Sequence, residues 1–188
     1  MISSCFGHFL DRPLTSLAKR LNINPNTITV AGFIVTVIAA VVLSQDLFTG
    51  GLLIILGGLF DVFDGVVARV NNRASDFGAF LDSVLDRYSD AFLFMGFAWY
   101  FLENGPMTGA WLSSGTMIGA LVISYARARA EGLGRKCHTG LMERPERIVL
   151  MSLGALTGYV LPVMWIMLVL THVTVLQRIL HVRRTMKT

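Results

Sequence analysis

Charged residues are scarce in this sequence. They make up 15% of the 188 residues, whereas hydrophobic residues make up 54%, and the mean hydropathy is +0.62. A soluble domain of this length needs a much larger polar surface, so the composition excludes an ordinary soluble protein and indicates a lipid bilayer. The length fits one domain, and we expect a single membrane domain over residues 1–188.

Cysteine is nearly absent as well. Cys5 and Cys137 are the only two, so neither a disulfide framework nor a cysteine metal site is expected, and both should be free thiols. Internal repeats and low-complexity tracts are also missing. The first apolar run begins near Thr27, after an amphipathic stretch, and no cleavable signal peptide is expected.

Six apolar stretches follow one another along the chain. They cover about 27–44, 48–70, 77–101, 107–127, 147–159 and 161–180. Most are long enough to cross a bilayer, because ~20 helical residues span ~30 Å of hydrocarbon. The fifth is short and is interrupted by Gly158 and Pro162. We therefore predict an all-α polytopic membrane protein, with six transmembrane helices within residues 25–188.

The N-terminal segment 1–24 has a different pattern. Between residues 6 and 21 the apolar side chains recur at helical spacing, with Arg12, Lys19 and Arg20 between them. This pattern predicts an amphipathic helix lying at the membrane interface. An ordinary packing face of a first helix fits the pattern equally well.

The basic residues predict the orientation. None of the 16 Lys and Arg residues lies in the tight connections 44–46, 103–106 and 157–159. They lie in the N-terminal segment, in the connections 69–87 and 127–147, and from Arg178 onward. This positive-inside distribution predicts a multi-pass protein of the cell membrane, with both termini in the cytoplasm. The net charge of +4 follows this topology, so no nucleic-acid partner is expected.

Four aspartates lie within or beside the second and third apolar stretches. Asp61 and Asp64 are three residues apart, and Asp82 and Asp86 four apart, so each pair shares a helix face. An ionised Asp at the centre of a membrane helix costs ~2.5–3.5 kcal/mol, so four would cost on the order of 10 kcal/mol without partners. Carboxylates without His or Cys favour Mg²⁺ or Mn²⁺ over zinc. The alternative is a structural salt-bridge network, for which the nearby arginines Arg69, Arg73 and Arg87 are few.

The connection between these two helices is short. It turns around residues 71–73, and this predicts that the helices are antiparallel neighbours whose aspartates converge at similar depth. Gly65 and Ala68 share the stripe of Asp61, and Gly78 shares that of Asp82 and Asp86. Small residues at these places leave room for a phosphorylated ligand. Close helix packing through small residues is the alternative.

The segment resembles the CDP-alcohol phosphotransferase family, whose signature is D-x2-D-G-x2-A-R-x8-G-x3-D-x3-D. All eight fixed positions match, namely Asp61, Asp64, Gly65, Ala68, Arg69, Gly78, Asp82 and Asp86. The resemblance implies that a CDP-linked lipid donates its phosphatidyl-type group to an alcohol and releases CMP. It also implies two Mg²⁺ or Mn²⁺ ions and a homodimer.

Residue roles follow from the same resemblance. Asp61, Asp64, Asp82 and Asp86 would bind the metal ions, and Asp86 would also act as general base. The residues that would contact the CDP-lipid are Asn26, Thr29, Gly65, Arg69, Ser75 and Gly78. For Asn26, helix N-capping is an alternative role. Asp90 continues the stripe of Asp86, where a supporting or helix-pairing role is favoured over direct chemistry.

Arginines in the second basic connection point to an anionic acceptor. The four candidates for its phosphate are Arg127, Arg129, Arg144 and Arg147. Guanidinium groups match phosphate oxygens in pairs, although anchoring at anionic headgroups is an alternative role. The segments around them resemble the phosphatidylinositol phosphate synthase and archaetidylinositol phosphate synthase branch, in which the acceptor is inositol phosphate. A lysine is frequent there at the position of Arg127.

Several alternatives stay open. Glycerol 3-phosphate is a second anionic acceptor, and the donor can be CDP-diacylglycerol or CDP-archaeol. An intramembrane prenyltransferase also carries Asp-x-x-Asp motifs, but it would leave Gly65, Ala68 and Arg69 unexplained. A cation transporter would need polar residues through the full membrane depth, whereas these aspartates stay at one face.

Overall fold

A computed structural model describes residues 23–137 and 139–186 of the chain. The amphipathic helix predicted within residues 6–21 and the thiol of Cys5 lie outside the described residues. Cys137 is described, and it is a buried free thiol, as expected.

All regular structure in the described residues is helical. The six helices are α1 (Pro25–Leu43), α2 (Leu47–Val70), α3 (Asp76–Asn104), α4 (Met107–Gly132), α5 (Arg144–Thr157) and α6 (Val160–Thr185). Each coincides with one predicted apolar stretch. The main differences are at the basic connection, where α4 continues to Gly132 and α5 already begins at Arg144. An all-helical protein is therefore confirmed.

Four of the described helices are long and apolar enough to cross a membrane, namely α1, α2, α4 and α6. Together they define a helical membrane protein. Helix α5 has only 14 residues, fewer than the ~20 that span the hydrocarbon. Helix α3 has 29 residues, but it carries the acidic residues of the predicted site in its first half. Length and composition thus establish four of the six predicted spans among the described residues.

The first turns of α1 and α3 are fixed by capping side chains. Asn24 caps α1, because its side chain accepts a hydrogen bond from the Asn26 backbone N–H at 3.0 Å, and Pro25 begins the helix. Ser75 caps α3 by accepting from the Gly78 N–H at 3.0 Å. The alternative capping role for Asn26 was wrong, and its side chain is left for other contacts.

The helices pack in a ring. Going round it, α1 contacts α2, α2 contacts α5, α5 contacts α6, α6 contacts α4, α4 contacts α3, and α3 returns to α1. Helices α2 and α3 are therefore not the packed neighbours that the short connection predicted. Both pack on α1 instead, and the connection at residues 71–75 bridges the gap between them.

Small residues allow α1 to approach both partners closely. A Cβ atom added to Gly57 of α2 would lie 2.5 Å from the Thr36 Oγ1, and one added to Gly96 of α3 would lie 2.4 Å from the Ala40 carbonyl oxygen. Both distances are shorter than real contacts. Replacement of Gly96 would move the backbone of α1, whereas replacement of Gly57 would displace the Thr36 hydroxyl. Helix α1 thus holds α2 and α3 at a fixed separation.

Candidate active site

Three of the four predicted metal ligands meet in the space between α2 and α3. Carboxylate oxygens of Asp61, Asp64 and Asp82 all lie within 4.8 Å of one another. Within the described residues, Oδ2 of Asp64 and Oδ1 of Asp82 are buried and have no hydrogen-bond partner. A buried carboxylate oxygen without a partner is costly, so this trio fits a cation. Because all the ligands are oxygens, Mg²⁺ or Mn²⁺ suits them.

Asp86 lies beside this trio, one helical turn after Asp82. Its Oδ1 atom is 2.5 Å from Nη1 of Arg144, and the same Nη1 is 2.5 Å from Oδ1 of Asp61. Asp86 lines a small polar pocket that it shares with Asp61, and it also lines a much larger cavity on the other side. It therefore stands between the carboxylate trio and that cavity.

The residues predicted to contact the nucleotide gather at the beginnings of α1 and α3. A Cβ on Gly78 would lie 3.0 Å from Asn26 Oδ1 and 3.1 Å from Ser75 Oγ, so these three residues form one cluster. Thr29 lies one turn after Asn26 and lines the same small pocket as Asp61. Its hydroxyl donates to the Pro25 carbonyl at 3.1 Å.

The other two predicted nucleotide contacts lie on α2. A Cβ on Gly65 would lie 3.4 Å from Nη1 of Arg69, so the guanidinium passes over the glycine. Gly65 directly follows Asp64, and because it has no side chain, the guanidinium of Arg69 can lie close to the helix at this point. The six predicted residues therefore lie on or at the start of the three helices α1, α2 and α3, and Thr29 shares a pocket with Asp61 and Asp86.

A cavity of about 900 Å³ opens on the α4 and α5 side of Asp86. Its lining contains five arginines: Arg87, Arg127, Arg144, Arg147 and Arg178. Three of the four arginines predicted for the acceptor are among them. Arg129 is exposed and lies outside the lining, because residues two apart on a helix do not share a face and Arg127 occupies the inner one.

Most of these arginines are held by partners. Arg147 and Asp90 form a buried ion pair between α5 and α3, which confirms Asp90 as a helix-pairing residue. Nε of Arg127 is 2.9 Å from Oε1 of Glu131 on the same helix. The cavity lining thus combines five arginines with four carboxylates, those of Asp86, Asp90, Glu131 and Glu143, and the buried Arg147–Asp90 pair holds part of its wall.

Arg178 was missed by the sequence reasoning, which assigned it to the basic C-terminal flank. It is buried in α6 and donates to the backbone carbonyls of Ile123 at 2.7 Å and Thr139 at 2.9 Å. A signal for it existed, because Thr171, Thr174 and Arg178 follow helical spacing and form a buried polar stripe on an apolar helix.

Comparison with known proteins defines the class of this site. The sequence matches the CDP-alcohol phosphatidyltransferase family over residues 22–180. This range includes all six helices apart from the last turns of α6, together with every residue of the site. The chain therefore belongs to the CDP-alcohol phosphatidyltransferase family, and it is a transferase.

Two relatives are similar over nearly the whole chain. The archaetidylinositol phosphate synthase of Methanothermobacter thermautotrophicus is 35% identical, over 97% of this chain and 94% of its own. The phosphatidylinositol phosphate synthase of Mycobacteroides abscessus is 37% identical, over 94% of this chain and 84% of its own.

Solved structures show the same fold. The Mycobacterium tuberculosis phosphatidylinositol phosphate synthase with CDP-DAG bound is 29% identical, with a TM-score of 0.81 and coverage of 92% of this chain and 93% of its own. The same enzyme in complex with manganese and citrate gives a TM-score of 0.83, covering 92% of this chain and 88% of its own.

Proposed function

We propose that this protein transfers the phosphatidyl-type group of a CDP-linked lipid to a hydroxyl of inositol phosphate and releases CMP. The observation that carries the proposal is the position of Asp86. It joins a trio of carboxylates suited to divalent ions to a cavity lined by arginines suited to a phosphate. The names of the relatives, and the CDP-DAG and manganese described for the neighbouring structures, support the same reaction.

The donor side of the site is assigned to α1, α2 and the start of α3. Asp61, Asp64 and Asp82 would hold Mg²⁺ or Mn²⁺, with Asp86 beside them. When bound, such ions neutralise the diphosphate and stabilise the CMP leaving group. The cluster of Asn26, Ser75 and Gly78, with Thr29, Gly65 and Arg69, forms a wall of small and polar groups against which the CDP part would lie.

Asp86 is the proposed general base. It faces the cavity in which the acceptor would lie, so its carboxylate can accept the proton of the acceptor hydroxyl as that oxygen attacks the lipid-side phosphorus. The new bond joins this oxygen to phosphorus, and the bond between phosphorus and the CMP oxygen breaks. Asp86 carries the proton, and CMP leaves as the other product.

The acceptor phosphate is assigned to the arginine-lined cavity. Arg127, Arg144 and Arg147 are retained from the sequence, Arg178 is added, and Arg129 is left out because it lies outside the lining. The first turn of α5 contributes Arg144, Pro145 and Arg147 to the lining of this cavity. A phosphate there would sit beside Asp86 without competing for the donor wall.

The proposal includes a topology. All six helices would cross or enter the membrane. Helices α3 and α5 would do so with the other four, and their polar ends would line the site. The positive-inside distribution then places both termini and the active site in the cytoplasm. The segment 1–24 would lie as an amphipathic helix at that interface, and the single domain would pair as a homodimer.

Product analysis tests the function. Purified protein is given CDP-diacylglycerol or CDP-archaeol, Mg²⁺ or Mn²⁺, and in turn inositol phosphate, glycerol 3-phosphate, inositol or serine, and CMP release is measured. We expect release with inositol phosphate. The Asp86→Asn variant should release no CMP and still bind the CDP-lipid.

Each outcome has a defined meaning. Release with glycerol 3-phosphate alone would replace the acceptor and keep the reaction. Release with serine alone would contradict the role of the arginine cavity. Full activity of Asp86→Asn would remove this residue as the base.

A further inference from the structure

Arg144 belongs to two places at once. It lines the large cavity assigned to the acceptor, and it also lines the small polar pocket with Asp61 and Asp86. Its Nη1 atom lies 2.5 Å from one oxygen of each of these aspartates. The guanidinium therefore occupies the boundary between the carboxylates and the cavity.

This position sets the guanidinium against a metal ion. Asp61 is one of the three residues whose oxygens converge for a cation, and the oxygen of Asp61 that faces Arg144 is already paired with a positive charge. A divalent ion held by Asp61 would repel the positive charge of Arg144, because both would be paired with the same carboxylate. Binding of the ion at the trio therefore weakens the hold of the carboxylates on Arg144.

Three of the other cavity arginines have partners away from the trio, and the fourth, Arg87, donates to the backbone carbonyl of Ser83 on its own helix. Arg147 pairs with Asp90, Arg127 pairs with Glu131, and Arg178 donates to two backbone carbonyls. Arg144 forms its ion pairs with two site aspartates, Asp61 and Asp86. Its Nε is buried and lacks a hydrogen-bond partner, so donors of its fork remain for an anion.

We propose that Arg144 is a shared cation that couples the two halves of the site. It pairs with Asp61 and Asp86 while the carboxylates hold no metal, and it turns to the acceptor phosphate in the cavity when a divalent ion takes its place. The inference rests on the proposed function, which assigns the metal to the aspartates and the phosphate to the cavity.

A coupling follows, and it must be reciprocal. An anion in the cavity draws Arg144 off the carboxylates and so favours metal binding, while the metal frees Arg144 and so favours the anion. Couplings of this kind change affinity by about 5- to 150-fold. The order that results is useful, because the acceptor is gripped most tightly when the metal needed for the chemistry is in place.

Mn²⁺ titration of the purified full-length protein tests the coupling, with sulfate as the probe for the phosphate group. In the wild-type protein we expect saturating sulfate to lower the Kd for Mn²⁺ about tenfold, within the range of typical couplings. In Arg144→Gln, Mn²⁺ should bind more tightly without sulfate, and sulfate should change the Kd less than about twofold. Arg129→Gln is the matched control, because it removes an arginine of the same region that lies outside the cavity lining, and it should keep the response to saturating sulfate.

The outcomes separate this inference from the proposed function. Mn²⁺ binding that ignores sulfate, or that responds equally in Arg144→Gln, would overturn the coupling and leave the metal site standing; the second result would point to direct attraction between the two ligands. A wild-type protein that binds no Mn²⁺ would overturn both proposals. A crystal structure of the wild-type protein with Mn²⁺ needs no variant: a guanidinium of Arg144 still paired with Asp61 and Asp86 would contradict the exchange.

Discussion

Removal of the Asp90 carboxylate gives a stringent test of how the cavity wall is held. Asp90 is 3% exposed and Arg147 is 2% exposed, so the pair lies away from solvent. The Asp90→Ala change leaves Arg147 charged and buried, and among the described residues it keeps its hydrogen bond to the Met142 carbonyl at 3.3 Å. Breaking one side of a buried pair costs about 3–5 kcal/mol, and we expect the free energy of unfolding to fall by this amount.

Reversible unfolding in mixed detergent micelles, followed by circular dichroism, measures the loss. The double variant Asp90→Leu with Arg147→Met is the control, because replacing both charges by apolar groups is often neutral or stabilising. It should recover the stability but bind inositol phosphate weakly, since it lacks a cavity arginine. A loss below about 1 kcal/mol in Asp90→Ala, the value of an exposed pair, would refute the buried assignment.

Two further predictions concern packing and the cavity. Gly96→Ala should lower the free energy of unfolding by about 1–3 kcal/mol, because the added methyl group meets the Ala40 carbonyl. Gly132→Ala is the control in the same unfolding assay. It should be close to neutral, because the space around Gly132 is open. Arg127→Gln should raise the KM for inositol phosphate about tenfold or more, as expected for a lost hydrogen bond to a charged group. Arg129→Gln should leave this KM within about twofold. Equal effects of the two changes, measured by steady-state CMP release, would place Arg129 in the site.

Much of the fold could be predicted because the bilayer imposes it. A segment in hydrocarbon must satisfy its own backbone hydrogen bonds, so apolar stretches of this length become helices. The end of α4 and the start of α5 were placed less well. Both lie in the basic connection, where charged residues line a cavity and apolar periodicity no longer marks the helix.

The metal ligands could be predicted for a related reason. A carboxylate in an apolar segment is costly, so the presence of Asp61, Asp64 and Asp82 is enough to predict a bound cation. The acceptor side was harder, because arginines in a cytoplasmic connection also anchor the protein and carry no such cost. Arg129 was therefore predicted to bind the acceptor because it lies near the other arginines in the sequence. Arg178 was assigned to the basic C-terminal flank although it is buried.

The packing of α1 explains why a site exists between α2 and α3 at all. Helices that pack directly lie 8–10 Å apart and fill the space between them with interdigitating side chains. Here α1 contacts both helices through Gly57 and Gly96, so α2 and α3 face each other across a gap. Three aspartates converge in that gap, and Arg144 from α5 reaches its other side. The short connection thus joins two helices, α2 and α3, that line opposite sides of the site. Because α1 keeps these helices apart, the carboxylates and Arg144 can meet in the space between them.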